Sequence, residues 1–135
     1  MSPDDRDPQS TTNRLAQFED RLPKKVFQPG AIIFRTGEMD DTAFIVRSGD
    51  VQVFTRNEGG QPVLLTTLGP GQILGELALL NERTRSATAR TETGCELLVI
   101  KPQQINAMLE KAPPFLRFWI EHLANRVIDL TKRVG

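Results

Sequence analysis

An antiparallel, mainly β barrel with flanking helices is the fold class that these 135 residues predict. Three observations carry it. Between Lys24 and Ile100 the apolar residues come in short runs: Ala31 to Phe34, Thr42 to Arg47, Val51 to Thr55, Val63 to Leu68, Ala87 to Thr91 and Cys95 to Ile100. Glycines at 30, 37, 49, 59, 60, 69, 71 and 94 punctuate the runs, largely at the intervals of an antiparallel sandwich or barrel. No helix long enough for a βαβ crossover separates them, which argues against the parallel-sheet nucleotide folds. A single helical turn, opened by Gly75, interrupts the strand region, and this fits a jelly-roll barrel (double-stranded β-helix) closed around one small ligand.

Composition bounds the rest. The length is that of one domain able to bury its own core. Formal net charge is zero and the apolar fraction, 39%, is ordinary, so nothing global points to nucleic acid or a membrane surface. Cys95 is the only cysteine, which excludes an intramolecular disulfide and any multi-cysteine metal site and suits a reducing compartment. It lies in an apolar run and reads as core. Neither a signal peptide nor an apolar run near eighteen residues is visible, so a cytoplasmic chain without a membrane segment is expected.

Taken in order, residues 1–13 are polar and interrupted by proline, the signature of a disordered tail, and residues 14–135 make the domain. Thr12 or Asn13 can cap a short amphipathic helix in which Leu15, Phe18 and Leu22 recur and which Pro23 ends. Asn57-Glu58-Gly59-Gly60 reads as a hairpin connection, and Pro70-Gly71 as a second turn. After Ile100 two helices follow. Pro102 suits a first helical position, Gln103 to Lys111 places Ile105, Met108 and Leu109 on one face, and Pro113-Pro114 ends it. In the last helix, Phe115 to about Val134, the residues Leu116, Ile120, Leu123, Val127, Leu130 and Val134 form a heptad seam. Phe115, Phe118 and Trp119 make another apolar surface near its start. That surface can pack on the barrel and the seam can meet a second copy in a homodimer; the alternative is that both surfaces bury against the same barrel.

The chemistry concentrates between Gly75 and Thr88. A glycine opening a helical turn leaves backbone N–H groups free for an anion. Arg85 is a permanent cation whose planar fork of donors fits a phosphate. Glu76 would repel a phosphate set against it but suits a neighbouring hydroxyl, such as the 2′-hydroxyl of a ribose. Small residues at Ser86 and Ala87 let a ligand approach the returning strand. Phosphate donors, a phosphate cation and a ribose acceptor in one loop describe a compact nucleotide monophosphate site.

Gly75-Glu76-Leu77-Ala78-Leu79-Leu80 followed by Arg85-Ser86-Ala87-Thr88 resembles the phosphate-binding cassette of cyclic nucleotide-binding domains, and the similarity runs through Gly30, Gly37, Gly49 and Ala43 to Val46 into the C-terminal helices. The resemblance implies ligand contacts from Gly75, Glu76, Leu77, Ala78, Arg85, Ser86 and Ala87. It places Val53, Leu65 and Leu68 near the same pocket, where each reads first as barrel core. It also implies a lid contact from the last helix around Leu130 and Thr131, of which only Thr131 has a side chain able to hydrogen-bond. Members favouring cyclic GMP often carry threonine at the position of Ser86 and members favouring cyclic AMP often carry alanine; serine has the hydroxyl but not the methyl, and the reading leans to cyclic AMP.

The function expected is therefore a sensor of cyclic AMP, or cyclic GMP, that relays binding to an unknown effector through its C-terminal helices. The alternative is a degenerate domain of the same fold acting as a ligand-free dimerisation or docking module. No enzyme is expected: His122 is the only histidine and no nucleophile motif accompanies it. One cysteine and one histidine make no metal cluster. Nucleic acid is not an expected partner either, since no helix-turn-helix follows the long helix before Gly135.

Overall fold

The computed structural model describes residues 18–80 and 84–134, with the side chains at 77, 80, 128 and 131–134 outside that description. Among the described residues eight strands run in the order β1 (Lys24–Phe27), β2 (Ile32–Phe34), β3 (Ala43–Ser48), β4 (Val51–Arg56), β5 (Pro62–Leu68), β6 (Ile73–Leu74), β7 (Thr88–Thr91) and β8 (Cys95–Ile100). A 3-10 helix, Glu76–Leu80, stands between β6 and β7, and helices α1 (Pro102–Lys111) and α2 (Pro114–Val134) follow β8. The strands make two four-stranded sheets of order β1-β8-β3-β6 and β2-β7-β4-β5, antiparallel at every pairing. This is the mainly β, jelly-roll class that the glycine-broken runs predict.

The continuous apolar run of β3 explains how the sheets are covered. Side chains alternate faces along a strand. Phe44 and Val46 point between the sheets into a core with Phe34, Val51, Leu74, Ala89, Cys95 and Leu97. Ala43 and Ile45 point the other way, into a second core with Leu22, Leu98 and Ile100, against which Phe18, Leu79 and Ile105 pack. A strand buried on both faces has no polar positions to alternate with apolar ones. The first sheet is thus sandwiched between the second sheet and the helical segments, and Cys95 is core as expected.

Two strands do not appear among the apolar runs. β1 reads Lys-Lys-Val-Phe and is an edge strand held only by β8, and β6 is two residues long. Neither presents the periodicity that a pattern can detect. The hairpin at Asn57–Gly60 forms as expected, closed by the Asn57 N–H donating to the Gln61 carbonyl at 2.9 Å. So does the turn at Pro70-Gly71, with the Gln72 N–H donating to the Gly69 carbonyl at 3.1 Å. The N-terminal helix is present in its last residues, Phe18 and Glu19, and Leu22 is buried; Leu15, its caps and the 1–13 boundary lie outside the described residues.

One glycine shows why the turns are specific. Gly49 joins β3 to β4 at φ +89°, and a Cβ there would lie 2.3 Å from the Gly94 carbonyl oxygen and 2.7 Å from Cys95 Sγ. Only glycine fits.

Two packing expectations are corrected. Leu65 is not barrel core: it is 57% exposed, on the edge strand β5 at the register shift where Thr66 pairs with Val53 and Leu64 with Phe54 and Leu65 is passed over. Nor do Phe115, Phe118 and Trp119 pack on the barrel; they are 70%, 64% and 50% exposed. Phe115 instead stacks along the helix on Trp119, and Phe118 on His122, at ring distances of 6.4 and 6.1 Å. The physical reason is reach. A 21-residue helix is ~32 Å long, and α2 meets the body at the 3-10 helix, where Ile120 and Ala124 share a crevice with Leu79 and Leu109. Among the described residues no helix is long and apolar enough to cross a membrane.

Candidate functional site

β6 delivers the chain to Gly75, whose φ of +71° turns it sharply into the 3-10 helix. The Ala78 N–H donates to the Gly75 carbonyl at 3.1 Å and closes the first turn. The amides of Glu76 and Leu77 stand ahead of that bond and have no carbonyl within the turn to meet. Glycine is required here for a second reason: a Cβ on Gly75 would sit 2.6 Å from Arg85 Nη1 and 3.2 Å from the Thr42 carbonyl oxygen.

Arg85 is placed from the other side of the loop. Its backbone is zipped to the turn after β2, with the Gly37 N–H donating to the Arg85 carbonyl and the Arg85 N–H donating to the Glu38 carbonyl, both at 2.8 Å. Its side chain then turns inward and is only 4% exposed. Nη2 donates to the Thr42 carbonyl at 2.5 Å and lies 3.6 Å from Asp40 Oδ2, while Nη1 reaches the Gly75 carbonyl at 3.5 Å. The guanidinium lies over the Phe34 ring, 4.2 Å from its centroid. Nε is buried with no hydrogen-bond partner. Burial pushes the guanidinium pKa down, and the neighbouring Asp40 opposes that fall. A buried cation with an unused donor is costly unless something accepts from it.

Gly75, Glu76, Ala78, Arg85, Ser86 and Ala87 all line one cavity of about 290 Å³. Six of the seven predicted contact residues are therefore together; Leu77 belongs to the same turn, with its side chain outside the described residues. Glu76 and Ser86 are exposed at the mouth, and Ala78 and Ala87 are buried in the wall. The remaining wall is apolar, from Phe34, Val53, Leu68, Ile73 and Leu74, with the hydroxyls of Thr66 and Thr84 beside it. Val53 and Leu68 thus face the cavity. Leu130 is not among the lining residues, and the Thr131 side chain lies outside the described residues.

Sequence reasoning did not single out Phe34, Asp40, Thr42 or Thr66. Phe34 sits in an ordinary apolar run, and Thr66 in a strand rich in threonine. Asp40-Asp41-Thr42 looks like any polar turn. Only the pairing of distant segments reveals that it faces Arg85. Among the described residues no cluster of three histidine, cysteine or carboxylate side chains is placed to hold a metal.

An apolar cavity with a buried cation, a turn of open amides and a carboxylate at its mouth has the chemistry to take a small anion carrying a hydroxyl. Comparison with known proteins decides the family. The sequence profile of the cyclic nucleotide-binding domain matches residues 24–112. The chain belongs to that family. It is 34% identical over 106 residues to the cyclic AMP receptor protein of Thermus thermophilus, a match covering 78% of this chain and 47% of that protein. The structure of the Thermus thermophilus catabolite activator protein superposes with a TM-score of 0.70 at 28% identity, covering 90% of this chain and 57% of that one. The cAMP-bound form of the EAL enzyme Bd1971 superposes at 0.68 with 26% identity, covering 83% of this chain and 30% of that one. This cyclic nucleotide-binding domain spans about half the length of the curated relatives it matches. It is a regulatory, cyclic nucleotide-binding module, built on the fold those relatives share.

Proposed function

We propose that this domain senses cyclic AMP at the 75–88 loop. The cyclic phosphate lies on the amides of Glu76 and Leu77, after Gly75, and on Arg85; Glu76 accepts from the ribose 2′-hydroxyl; Ala78, Ser86 and Ala87 border the ligand. The observation that carries this reading is the buried Arg85, held at the cavity wall with its Nε unpartnered. A phosphate oxygen would satisfy that donor with a charge-assisted bond. Similarity to the cyclic AMP receptor proteins supports cyclic AMP over cyclic GMP, although Bd1971 has been captured with each nucleotide.

Relay follows from what the loop touches. Leu79 of the 3-10 helix shares one crevice with Asn106 and Leu109 of α1 and with Ile120 of α2, so a ligand that moves the turn must repack both helices. The energy available is the ligand's difference in affinity for the two packings. The exposed seam of α2, with Leu116, Ile120 and Leu123 at 42%, 42% and 45%, supports a homodimer as the receiving assembly.

Isothermal titration of the whole chain with cyclic AMP and cyclic GMP tests the reading. Binding of cyclic AMP that is tighter than that of cyclic GMP, and that Arg85→Ala weakens by about tenfold or more, is the expected result. Absence of binding by either nucleotide at millimolar concentration would overturn it in favour of a docking module.

A further inference from the structure

We infer that Asp40 and Lys101 are positioning residues for Arg85, acting through Thr42 as a bracket that ties the anion-binding cation to the start of α1. This rests on the proposed role of Arg85 in binding the cyclic phosphate. The bracket is continuous. Arg85 Nη2 donates to the Thr42 carbonyl at 2.5 Å. The Thr42 N–H donates to Asp40 Oδ1 at 3.0 Å, and the other oxygen of the same carboxylate, Oδ2, faces Arg85 Nη2 at 3.6 Å. From the opposite side Lys101 Nζ donates to Thr42 Oγ1 at 2.9 Å and lies 4.0 Å from Asp41 Oδ1. Thr42 is 5% exposed, so all of its polar atoms are spoken for inside the fold.

The arrangement has a direction. Every contact of the bracket falls on the far end of the guanidinium, Nη2, and none on Nε. Neither Asp40 nor Lys101 lines the cavity, so neither touches a ligand placed there. A guanidinium gripped at Nη2, with Phe34 beneath its plane, has one orientation left, and that orientation keeps Nε unpartnered. Burial pushes the Asp40 carboxyl up, but its two hydrogen bonds to Thr42 and the charges of Arg85 and Lys101 hold it below its ordinary range, as a carboxylate set between two cations should be. Lys101 is also the residue before α1, and its N–H donates to Gln104 Oε1 at 2.8 Å. A shift of α1 therefore pulls on Thr42, and through it on Arg85.

The test uses the whole chain with cyclic AMP as probe. Asp40→Asn and Lys101→Met are each expected to weaken binding about fivefold to tenfold, Lys101→Arg to restore it to within about twofold, and the double variant to lose less than the product of the single losses, since both act on one bracket. The second readout is the ligand-free NMR signal of the Arg85 Nε–H, which a merely structural role would leave in place. It should shift or broaden in Asp40→Asn and Lys101→Met but not in Glu96→Gln, which removes a surface ion pair elsewhere. An unmoved Nε–H signal with unchanged affinity in both variants would overturn the bracket. If the natural chain binds neither nucleotide, the proposed function fails, and the Nε–H signal alone then decides whether the bracket exists.

Discussion

Gly75 concentrates the demands of the site in one residue. It needs a positive φ, it needs space where Arg85 and the Thr42 carbonyl approach, and it opens the turn that borders the cavity. Gly75→Ala is expected to destabilise the fold by about 2–3 kcal/mol, from left-handed strain and the displaced guanidinium, and to weaken cyclic AMP binding by more than about tenfold. Chemical denaturation and titration on the same sample check both. Asp40 gives a pH prediction. Its folded pKa lies below its unfolded value, so the stability it contributes is present above about pH 4 and is lost as pH falls through the lower folded value. Denaturation midpoints of the natural chain and of Asp40→Asn should therefore differ most near neutrality and converge in acid. A gap that widens on acidification would contradict the ion pair.

At the scale of elements, α2 is the segment whose environment the single chain leaves open. Its apolar residues recur at heptad spacing, yet Phe115, Leu116, Phe118, Trp119, Ile120 and Leu123 are all more than 40% exposed. Exposed apolar surface of this extent marks an interface. Leu123→Glu should leave the unfolding midpoint of the dilute chain within a degree or two, since the side chain touches no core in one copy, while converting a dimer to a monomer. Light scattering after gel filtration measures this, and a natural chain that is already monomeric at tens of micromolar would remove the dimer. The edge strand β5 is the counterpart on the barrel. Its exposed Val63, Leu64 and Leu65 follow a tight glycine hairpin and have no strand on their outer side.

At the scale of the molecule, ligand and fold are linked. The cavity is walled by β2, β4, β5, β6, the turn after Gly75 and Thr84 to Ala87, so a nucleotide bound there would bridge both sheets. Ligand at about a hundred times its dissociation constant adds ~2.7 kcal/mol, which at this size raises the unfolding midpoint by roughly 10 °C. Cyclic AMP should produce that rise and cyclic GMP a smaller one at equal concentration. Equal shifts would remove the preference for cyclic AMP.

How much was legible in the chain follows from the range of the forces involved. Strand runs, glycine turns, the capped helix after Ile100 and the Gly75-to-Thr88 motif are local: each is decided by neighbours in sequence, through backbone sterics, hydrogen-bond geometry or periodic burial. Sequence alone carried the mainly β class, the turn that opens the loop and six residues that line the cavity. What only the tertiary structure decided is nonlocal. Phe34 under the guanidinium, the Asp40-Thr42-Lys101 bracket and the apolar wall of β4 and β5 unite segments separated by tens of residues. Nothing in a polar turn such as Asp40-Asp41-Thr42 shows which distant arginine it will face. The exposure of α2 and of Leu65 is of the same kind: periodicity reports that a face is apolar, but only the positions of the other elements decide whether this chain is long enough, and shaped, to cover it.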